Sequence, residues 1–478
     1  MTLSIAELTG ANGEGASIAV SGINADSRAI TAGDAFFALP GSMSHGDSFI
    51  GEAVRRGAKV MVSDRPLIGD AGVPVVVVAD VRAAYARAAA RLFMPQPAVA
   101  VAVTGTNGKT SVASFVRQIW AASGIAGASL GTLGVETAAG SREGSLTTPD
   151  PLSLHRALGA LKSENIDHVA LEASSHGLDQ RRLDGLTFAA AGFTNLTRDH
   201  LDYHGTMDSY AEAKARLFST LLRAGGAAVI NSDDPEHERF LYGALGAGAT
   251  PMTVGREGAW FEIGTIRNEG FGQRVAGRLV GEPASFHLPL TGAFQVSNAL
   301  VALGLAMATG VSQDVAVAAL ERLKGAKGRL ELVAERDGAA FFVDYAHTPD
   351  ALKNALESLR PYASGKLTVV FGCGGDRDRG KRPEMGAIAD ALADRVIVTD
   401  DNPRTETAAT IRSEILAAVP RAEENGDRQK AIEAAARNIG DGDVVLVAGK
   451  GHEDYQIVGT ARHHFSDHEV IAAALAER

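Results

Sequence analysis

The chain contains 478 residues, of which 45% are hydrophobic and 5% are aromatic, and its formal net charge is −11. This length exceeds what one hydrophobic core usually serves, so several domains are expected. The acidic balance argues against a general nucleic-acid-binding protein, and the single cysteine excludes an internal disulfide or a multi-cysteine zinc site.

Membrane and targeting signals are not visible in the sequence. No apolar run approaches the roughly 20 residues of a membrane span, and the N-terminus lacks the basic start and long apolar stretch of a signal peptide. We therefore expect a cytoplasmic protein that does not insert into a membrane.

The first predicted domain covers residues 1–97. Its predicted elements are strands at 35–39 and 73–79 and a helix at 83–93. Pro95 and Pro97 then indicate a linker to the next domain.

A glycine-punctuated turn opens the second predicted domain. The apolar run at 99–103 is followed by TGTNGKT at 104–110 and by a helical pattern at 111–122. This order is typical of a phosphate-binding loop, because backbone N–H groups then face an anion at a helix N-terminus. Lys109 can reach terminal phosphates, and the Thr110 hydroxyl can ligate Mg²⁺. Val103 replaces the first glycine of the strict motif, so a simple tight turn is the alternative.

Strands and helices alternate through the rest of the chain. The second domain, residues 98–328, has predicted strands at 168–173, 189–195 and 227–231 and helices at 209–222 and 294–309. The third, residues 329–478, has predicted strands at 340–344, 367–371, 395–399 and 444–447 and helices at 350–359 and 383–393. The pattern predicts an α/β fold with mainly parallel sheets, a central ATPase-like domain and a C-terminal Rossmann-like domain.

Polar residues cluster where two of these strands end, which is where parallel sheets bind ligands. One strand ends at Glu172 within EASSHG (172–177), and the other leads into NLTRDHLDYHG (195–205), which contains His200. Because Glu172 lies among so many hydrogen-bonding groups, we interpret it as a magnesium ligand and not as a surface residue. The acidic and imidazole groups of the second segment favour a site over isolated structural histidines.

Two single residues have an ordinary interpretation from their spacing. Lys214, on the following helix, is most simply an exposed lysine that pairs with Glu212 or Asp208. Cys373 lies in GCGG without a neighbouring base and is most simply a small buried residue.

Together, the motifs resemble those of the Mur ligases. The matching segments, in the order of that family, are 104–110, 172–177, 195–205, 344–349, 372–377 and 401–404. The resemblance covers essentially the whole chain and is greatest to the diaminopimelate-adding members. The phosphate loop alone is shared with folylpolyglutamate synthetases.

The resemblance implies an ATP-dependent ligase of peptidoglycan precursor synthesis that adds meso-2,6-diaminopimelate to UDP-N-acetylmuramoyl-L-alanyl-D-glutamate. Such enzymes phosphorylate a peptide carboxylate, and the amine of the incoming amino acid displaces phosphate from the acyl phosphate. Positioned positive charge stabilises the transferring phosphoryl group. ATP is the implied co-substrate, Mg²⁺ the implied cofactor and small molecules the expected partners of a monomeric protein.

The family's ATP and metal sites are carried over residue by residue. The implied ATP-binding residues are Gly105, Thr106, Asn107, Gly108, Lys109, Thr110, Ser111, Asn298, Arg329 and Asp344. The implied magnesium ligands are Thr110, Glu172 and His200, and the implied catalytic residues are Lys109, Glu172, His200 and Lys214. Lys214 matches a lysine that is carbamylated in the family, which turns a cation into an anion beside magnesium and reverses the interpretation from spacing.

The UDP-substrate residues are implied in two domains. They are Ser27, Ser42, Met43 and Ser44 in the first and Thr147, Thr148, Ser174, Gln180 and Arg182 in the second. The family commonly has asparagine where this chain has Leu146, which leaves that one contact open. An ordinary loop and helix cap is the alternative for residues 147–150.

The implied diaminopimelate-binding residues are Arg377, Asp401, Asn402, Pro403, Arg404, Gly449 and Glu453. Arginine holds a carboxylate through two parallel hydrogen bonds, so Arg377 and Arg404 suit the distal carboxylate and Glu453 the ammonium. Lysine-adding relatives differ at the position of Arg404, which favours diaminopimelate. The alternative is a turn with a solvated arginine.

Two competing functions stay open at this point. One is another ATP-dependent carboxylate–amine ligase, such as a folylpolyglutamate synthetase or a lysine-adding Mur ligase. The other is a non-catalytic nucleotide-binding switch or scaffold, which has no use for Glu172, His200 and Lys214 together or for an amino-acid pocket.

Overall fold

The computed structural model describes residues 2–41, 44–67, 69–142, 144, 146–437 and 439–476. Contacts divide the chain into two compact units. The first comprises Met1–Ile263, Arg278–Glu282 and Ser297–Ala319, and the second comprises Gly264–Gly277, Pro283–Val296 and Leu320–Arg478. The boundaries at residues 97 and 328 remain predictions.

The N-terminal segment forms a small parallel sheet covered by helices and a separate antiparallel pair made by its first two strands. Its strands are β1 (Leu3–Ser4), β2 (Ala19–Val20), β3 (Ile23–Asn24), β4 (Ala35–Phe37), β5 (Val60–Ser63) and β6 (Val75–Val77), and its helices are α1 (Ile5–Thr9), α2 (Ile50–Arg55) and α3 (Val81–Leu92). Within the described residues, β3 to β6 pair in chain order as a parallel sheet. Helix α3 begins where the Asp80 side chain accepts a hydrogen bond from the Ala83 N–H at 2.9 Å, and its buried alanines pack against this sheet.

The middle of the chain continues the alternation. Its strands are β7 (Val99–Thr104), β8 (Gly127–Gly131), β9 (Gly134–Thr137), β10 (Gly140–Arg142), β11 (His168–Glu172), β12 (Phe188–Phe193), β13 (Leu222–Asn231), β14 (Thr250–Gly255), β15 (Phe261–Glu269), β16 (Gly272–Leu279) and β17 (Glu282–Leu288). Its helices are α4 (Lys109–Ala122), α5 (Pro151–Ser163), α6 (Ser175–Asp179), α7 (Leu201–His204), α8 (Met207–Arg216), α9 (His237–Gly246), α10 (Ala293–Met307) and α11 (Gln313–Leu320).

Strand order determines where the polar segments of the first unit lie. The order is β10-β9-β8-β11-β7-β12-β13-β14, with parallel pairing from β8 to β14 and antiparallel pairing among β8, β9 and β10. Strand β7 therefore lies between β11 and β12. The phosphate loop, Glu172 and the segment after β12 consequently leave one edge of the sheet side by side.

The C-terminal part forms a second sheet. Its strands are β18 (Glu331–Arg336), β19 (Ala339–Asp344), β20 (Leu367–Phe371), β21 (Arg395–Val398), β22 (Glu423–Glu424), β23 (Val444–Ala448), β24 (Tyr455–Val458) and β25 (Ala461–His464), and its helices are α12 (Pro349–Leu359), α13 (Lys381–Leu392), α14 (Ala408–Leu416), α15 (Arg428–Arg437) and α16 (Asp467–Ala476).

In this second sheet the order is β18-β19-β23-β20-β21-β22. All pairs are parallel except β18 with β19. The carboxyl ends of β19, β23, β20 and β21 therefore carry Asp344 and the segments 449–453, 372–377 and 399–404 along one edge. Among all described residues, no helix combines the length and apolar character that crossing a membrane requires.

Candidate active site

The phosphate loop requires glycine at two positions. Gly108, which precedes α4, has φ 86°, and a Cβ there would lie 2.3 Å from Oδ1 of Asn298. A Cβ on Gly105 would lie 1.9 Å from Oγ1 of Thr194. The loop thus approaches its neighbours too closely for a side chain, and Asn298 lies directly against it. The predicted helix after the loop is confirmed, although it begins at Lys109 rather than Ser111, which is buried in its first turn.

The segment after β12 holds the loop in place. Thr106 N–H donates to the Asn195 carbonyl oxygen at 2.8 Å, and Asn107 N–H donates to Asn195 Oδ1 at 3.0 Å. Thr194 Oγ1 donates to the Asn107 carbonyl oxygen at 2.6 Å. These bonds fix the loop against the segment that follows the neighbouring strand β12.

Lys109 and Lys214 lie together at the start of this loop. Lys109 Nζ donates to the carbonyl oxygens of Gly105 and Thr106, both at 2.8 Å. Lys214 is 1% exposed, and its Nζ donates to the Gly105 carbonyl oxygen at 2.7 Å. Burial, and then the nearby Lys109 charge, lower the pKa of Lys214 well below its usual value. The exposed lysine favoured by spacing is therefore wrong, because the packed face of α8 carries Lys214 inward.

The Glu172 carboxylate accepts hydrogen bonds from a hydroxyl group and from a backbone N–H group. Its carboxylate accepts hydrogen bonds from Thr110 Oγ1 at 3.0 Å and from Thr132 N–H at 2.8 Å, and the residue is buried. Carboxylate and hydroxyl oxygens are the ligands that Mg²⁺ prefers, and Mg²⁺ usually keeps waters and substrate phosphates as further ligands. The donor set of Thr110 and Glu172 therefore fits Mg²⁺.

The residues predicted to hold the UDP substrate in the middle of the chain form one hydrogen-bonded group beside Glu172. The bonds are Thr148 Oγ1 to the Glu172 carbonyl oxygen at 2.8 Å, Ser174 Oγ to Thr148 Oγ1 at 3.0 Å, Arg182 Nη1 to the Thr148 carbonyl oxygen at 2.6 Å, Arg182 Nη2 to Gln180 Oε1 at 2.8 Å, and Thr147 Oγ1 with Thr132 Oγ1 at 3.0 Å. The five residues thus lie together although they come from two separate segments of the chain.

His200 belongs to a cluster of rings. Its ring centroid is 4.8 Å from that of His176 and 6.2 Å from that of Tyr210, and its Nε2 is 3.4 Å from Asp199 Oδ2. His200 adopts φ 53°, a strained backbone conformation that often accompanies functional sites. Within the described ranges, no three His, Cys, Asp or Glu side chains are grouped closely enough to hold a metal. His176 and Tyr210 were not predicted as site residues.

The first-domain candidates are less connected. Ser27 Oγ donates to Glu52 Oε2 at 2.7 Å, and the Ser44 carbonyl oxygen accepts a hydrogen bond from Gly41 N–H at 3.0 Å. Ser42 and Met43 lie outside the described residues. Of the candidates that the structure describes, Ser27 and Ser44 have different hydrogen-bond partners.

In the second unit, Asp344 and Arg329 lie close to each other at the end of β19. The Asp344 carboxylate accepts hydrogen bonds from Leu330 N–H at 2.5 Å and Ala346 N–H at 2.8 Å, and burial raises its pKa to about 6. The Arg329 guanidinium lies 4.8 Å from the centroid of the Tyr345 ring. Gly449 N–H donates to the Asp344 carbonyl oxygen at 3.0 Å, which connects this end of β19 to the loop after β23.

Asn402 and Glu453 are bonded directly. Asn402 Nδ2 donates to Glu453 Oε2 at 2.9 Å, and the fully buried Lys450 donates from Nζ to Asn402 Oδ1 and Glu453 Oε2, both at 3.2 Å. Lys450 was not predicted as a site residue, although it lies between the predicted residues Gly449 and Glu453. The segments 401–404 and 449–453 are thus one structural group.

The predicted arginines differ in their surroundings. Arg404 is partly buried, and its Nη1 donates to the Gly375 carbonyl oxygen at 2.9 Å, whereas Arg377 is exposed and donates to the Asp376 carbonyl oxygen at 3.0 Å. The other two predicted residues, Asp401 and Pro403, shape the turn: Asp401 Oδ1 accepts from Asn402 N–H at 2.6 Å, and the Pro403 carbonyl oxygen accepts from Glu406 N–H at 3.1 Å.

Family models match three parts of the chain. Residues 19–92 match "Mur ligase family, catalytic domain", residues 103–306 match "Mur ligase middle domain" and residues 328–451 match "Mur ligase, glutamate ligase domain".

Relatives match the chain over nearly all of its length. The UDP-N-acetylmuramoyl-L-alanyl-D-glutamate–2,6-diaminopimelate ligase of Chelativorans sp. (strain BNC1) is 54% identical over 96% of this chain and 95% of its own. The protein of that name from Caulobacter vibrioides is 49% identical over 94% of each chain.

Solved structures are similar in fold. A structure of a UDP-N-acetylmuramoyl-L-alanyl-D-glutamate–2,6-diaminopimelate ligase has a TM-score of 0.74 and 34% identity, covering 100% of this chain and 99% of that one. A Mycobacterium tuberculosis folylpolyglutamate synthase complexed with ADP and AMPPCP has a TM-score of 0.62 at 20% identity, covering 77% of this chain and 92% of that one. The second likeness concerns the fold alone.

Proposed function

The chain belongs to the Mur ligase family, and on that basis we propose that it is an ATP-dependent ligase joining 2,6-diaminopimelate to UDP-N-acetylmuramoyl-L-alanyl-D-glutamate. The observation that carries the chemistry is the meeting of the phosphate loop, Glu172 and Lys214 at one sheet edge, where Thr110 contacts Glu172 at 3.0 Å and Lys214 contacts Gly105 at 2.7 Å. That edge joins a triphosphate-binding loop to buried charged groups suited to phosphoryl transfer.

ATP provides the leaving group that a carboxylate lacks. In this proposal the loop N–H groups and Lys109 hold the phosphates, and Lys109 exchanges its two carbonyl partners for phosphate oxygens. The transferring phosphoryl group gains positive charge from Lys109. Thr110 and Glu172, with His200 at a second position, would hold Mg²⁺, which supplies further charge neutralisation when bound.

Lys214 is the proposed carbamylated residue. Its lowered pKa, caused first by burial, favours the neutral amine, which is the nucleophilic form. The nitrogen would attack the carbon of CO₂, forming an N–C bond and releasing one proton. The product is an anion next to Lys109, so the repulsion between two cations would become an attraction.

The acceptor substrate is proposed to use the hydrogen-bonded group next to Glu172. Arg182 and the hydroxyls of Thr148 and Ser174 are held by one another in the described structure, so their geometry is set before binding. Arg182 is suited to a carboxylate of the peptide, and Ser27 with residues 42–44 would contact uridine.

The incoming amino acid is proposed to bind near Asn402 and Glu453. Arg404, with Arg377 beside it, would hold the distal carboxylate, and Glu453 the distal ammonium, because these charges are opposite to those of the ligand. Asp401, Pro403 and Gly449 would shape this pocket. The amine of the incoming amino acid would displace phosphate from the acyl phosphate and lose one proton.

A phosphate-release assay tests the proposed function. The protein, with ATP and Mg²⁺, is given UDP-N-acetylmuramoyl-L-alanyl-D-glutamate together with diaminopimelate, lysine or ornithine in separate reactions. We expect phosphate release and a ligated product with diaminopimelate and much less with the other two. Preference for lysine would overturn the choice of amino acid, and activity only with a folate and glutamate would overturn the proposed function.

A further inference from the structure

Tyr210 lies one helical turn before Lys214 and shares its buried face of α8. The residue is 1% exposed, and i,i+4 residues on a helix lie next to each other. Tyr210 was not predicted as part of the site. Its two ends, the hydroxyl and the ring, contact different parts of that site.

The hydroxyl of Tyr210 is bonded to the phosphate loop. It lies 3.1 Å from Thr106 Oγ1, which itself donates to the Thr197 carbonyl oxygen at 3.1 Å and accepts from Thr197 N–H at 2.9 Å. A threonine hydroxyl has one hydrogen to donate, so Thr106 donates either to the Thr197 carbonyl oxygen or to Tyr210, and in the first case the Tyr210 hydroxyl donates to Thr106. In both cases the Thr106 hydroxyl is bonded within the protein.

The ring of Tyr210 contacts the other site residues. Lys214 Nζ lies 4.5 Å from its centroid. The His200 and His204 rings lie 6.2 and 5.3 Å away, centroid to centroid. Tyr210 therefore adjoins the phosphate loop, the buried lysine and the histidine cluster.

We propose that Tyr210 is a positioning residue that ties helix α8 to the phosphate loop through Thr106. It holds the loop in the conformation that receives a triphosphate and sets the distance between Lys214 and the loop. This inference deepens the proposed function and rests on its ATP site. Tyr210 acts through Thr106 and Lys214.

Binding of a non-hydrolysable ATP analogue with Mg²⁺, measured by calorimetry, tests this role without turnover. Tyr210→Phe keeps the ring and removes the hydroxyl, and Thr106→Val removes the other partner of the same bond. We expect Tyr210→Phe to weaken binding by about three- to tenfold, the value of one net hydrogen bond. Thr106→Val should weaken it at least as much, because it also removes the two bonds to Thr197. In ligation assays, the KM for ATP should rise and the KM for the amino acid should stay the same.

The double variant distinguishes a shared bond from two separate effects. If Tyr210 acts through Thr106, Tyr210→Phe with Thr106→Val should bind no more weakly than the weaker-binding single variant. Tyr242→Phe is the matched control, because Tyr242 is 63% exposed on α9, and its binding should equal that of the unaltered protein.

Several results would overturn the proposal. They are Tyr210→Phe binding as well as Tyr242→Phe, multiplicative losses in the double variant, or normal binding by Thr106→Val. The last result also decides the matter if Tyr210→Phe does not fold. A protein that binds the analogue but does not ligate diaminopimelate would contradict the proposed function and leave this inference standing.

Discussion

Lys109 and Lys214 donate hydrogen bonds to the same atom, the carbonyl oxygen of Gly105, at 2.8 and 2.7 Å. Two ammonium groups at one acceptor repel each other, and Lys109 lowers the pKa of Lys214 in addition to burial. Lys214 therefore holds its proton less strongly than an exposed lysine does. Packing thus brings two lysines that lie far apart in sequence to one acceptor.

Replacing Lys109 with alanine should abolish ligation and leave the fold intact, because the change removes the charge proposed to bind phosphate and no core packing. Loss of one group that stabilises transition-state charge typically costs about 10²- to 10³-fold in rate. Phosphate release and thermal unfolding should be measured together. Lys430→Ala, at a side chain that is 68% exposed, is the control, and near-normal turnover in folded Lys109→Ala would contradict the assignment of the loop.

Lys214→Ala should lose most of its ligase activity if Lys214 carries a carbamate. Acetate or formate should restore part of it, because a small carboxylate can occupy the vacated anion position. The same acids should not rescue Lys109→Ala, where a cation is missing. Full activity of Lys214→Ala without any added acid would contradict the carbamate.

Gly108→Ala should weaken binding of an ATP analogue by about tenfold or more. Its φ of 86° costs a residue with a Cβ roughly 1–2 kcal/mol, and the added atom would lie 2.3 Å from Asn298 Oδ1. Gly246→Ala is the control because a Cβ there meets nothing within 4 Å. Equal calorimetric affinities in the two variants would show that the loop tolerates a side chain.

Arg404→Ala should weaken use of diaminopimelate by roughly one and a half to three and a half orders of magnitude. Truncating one partner of a desolvated charge pair typically costs about 2–5 kcal/mol, and about 1.4 kcal/mol is one factor of ten. The KM values for ATP and the UDP substrate should change little. Arg437→Ala, at a side chain that is 68% exposed, serves as the control. Normal use of diaminopimelate by Arg404→Ala would refute the assigned pocket.

The stability of the first unit should fall when the pH is lowered from about 6.5 to about 4. Burial lowers the pKa of His155 from 6.5 to about 4. Between these two pH values the His155 side chain is protonated in the unfolded chain and neutral in the folded chain. The stabilisation is fully present above the pKa of His155 in the unfolded chain and is lost as the pH falls through its pKa in the folded chain. The free energy of unfolding should fall by up to about 3 kcal/mol.

Urea unfolding, followed by the fluorescence of the buried Trp120 in the same unit, measures this dependence. His155→Gln should flatten it, because an amide does not titrate. His463→Gln, at an exposed position, should leave it unchanged. The same slope in His155→Gln and in the unaltered protein would assign the acid sensitivity to other groups.

Much of the fold could be predicted from periodicity. The predicted strands at 168–173, 367–371 and 444–447 correspond to β11, β20 and β23 within one residue at each end, because buried parallel strands are continuous apolar runs. Strands β14 to β17 were not predicted, since they lack a motif and many of their residues are exposed. The helix predicted at 209–222 corresponds to α8, which ends at Arg216, and to one π-helical turn at Leu217–Leu221. The apolar pattern does not distinguish an α-helical from a π-helical turn.

The candidate site could be predicted in part. Residues at strand ends, such as Glu172 and Asn402, have a position that chain order and strand direction already imply. Lys450 and Tyr210 were missed because a lysine or tyrosine in a polar or helical segment has no local signature of burial. Whether such a side chain points inward depends on which neighbouring element packs over it.

By itself, the sequence determined the α/β pattern, the phosphate loop and the family to which the chain belongs, because these depend on local spacing and on short motifs. Only the tertiary structure decided that Lys214 is buried against Gly105, that Tyr210 reaches Thr106, and that Lys450 joins Asn402 to Glu453. The physical reason is that burial and hydrogen-bond partners come from the packing of elements that are distant in the chain, and it is this packing that lowers the pKa of Lys214.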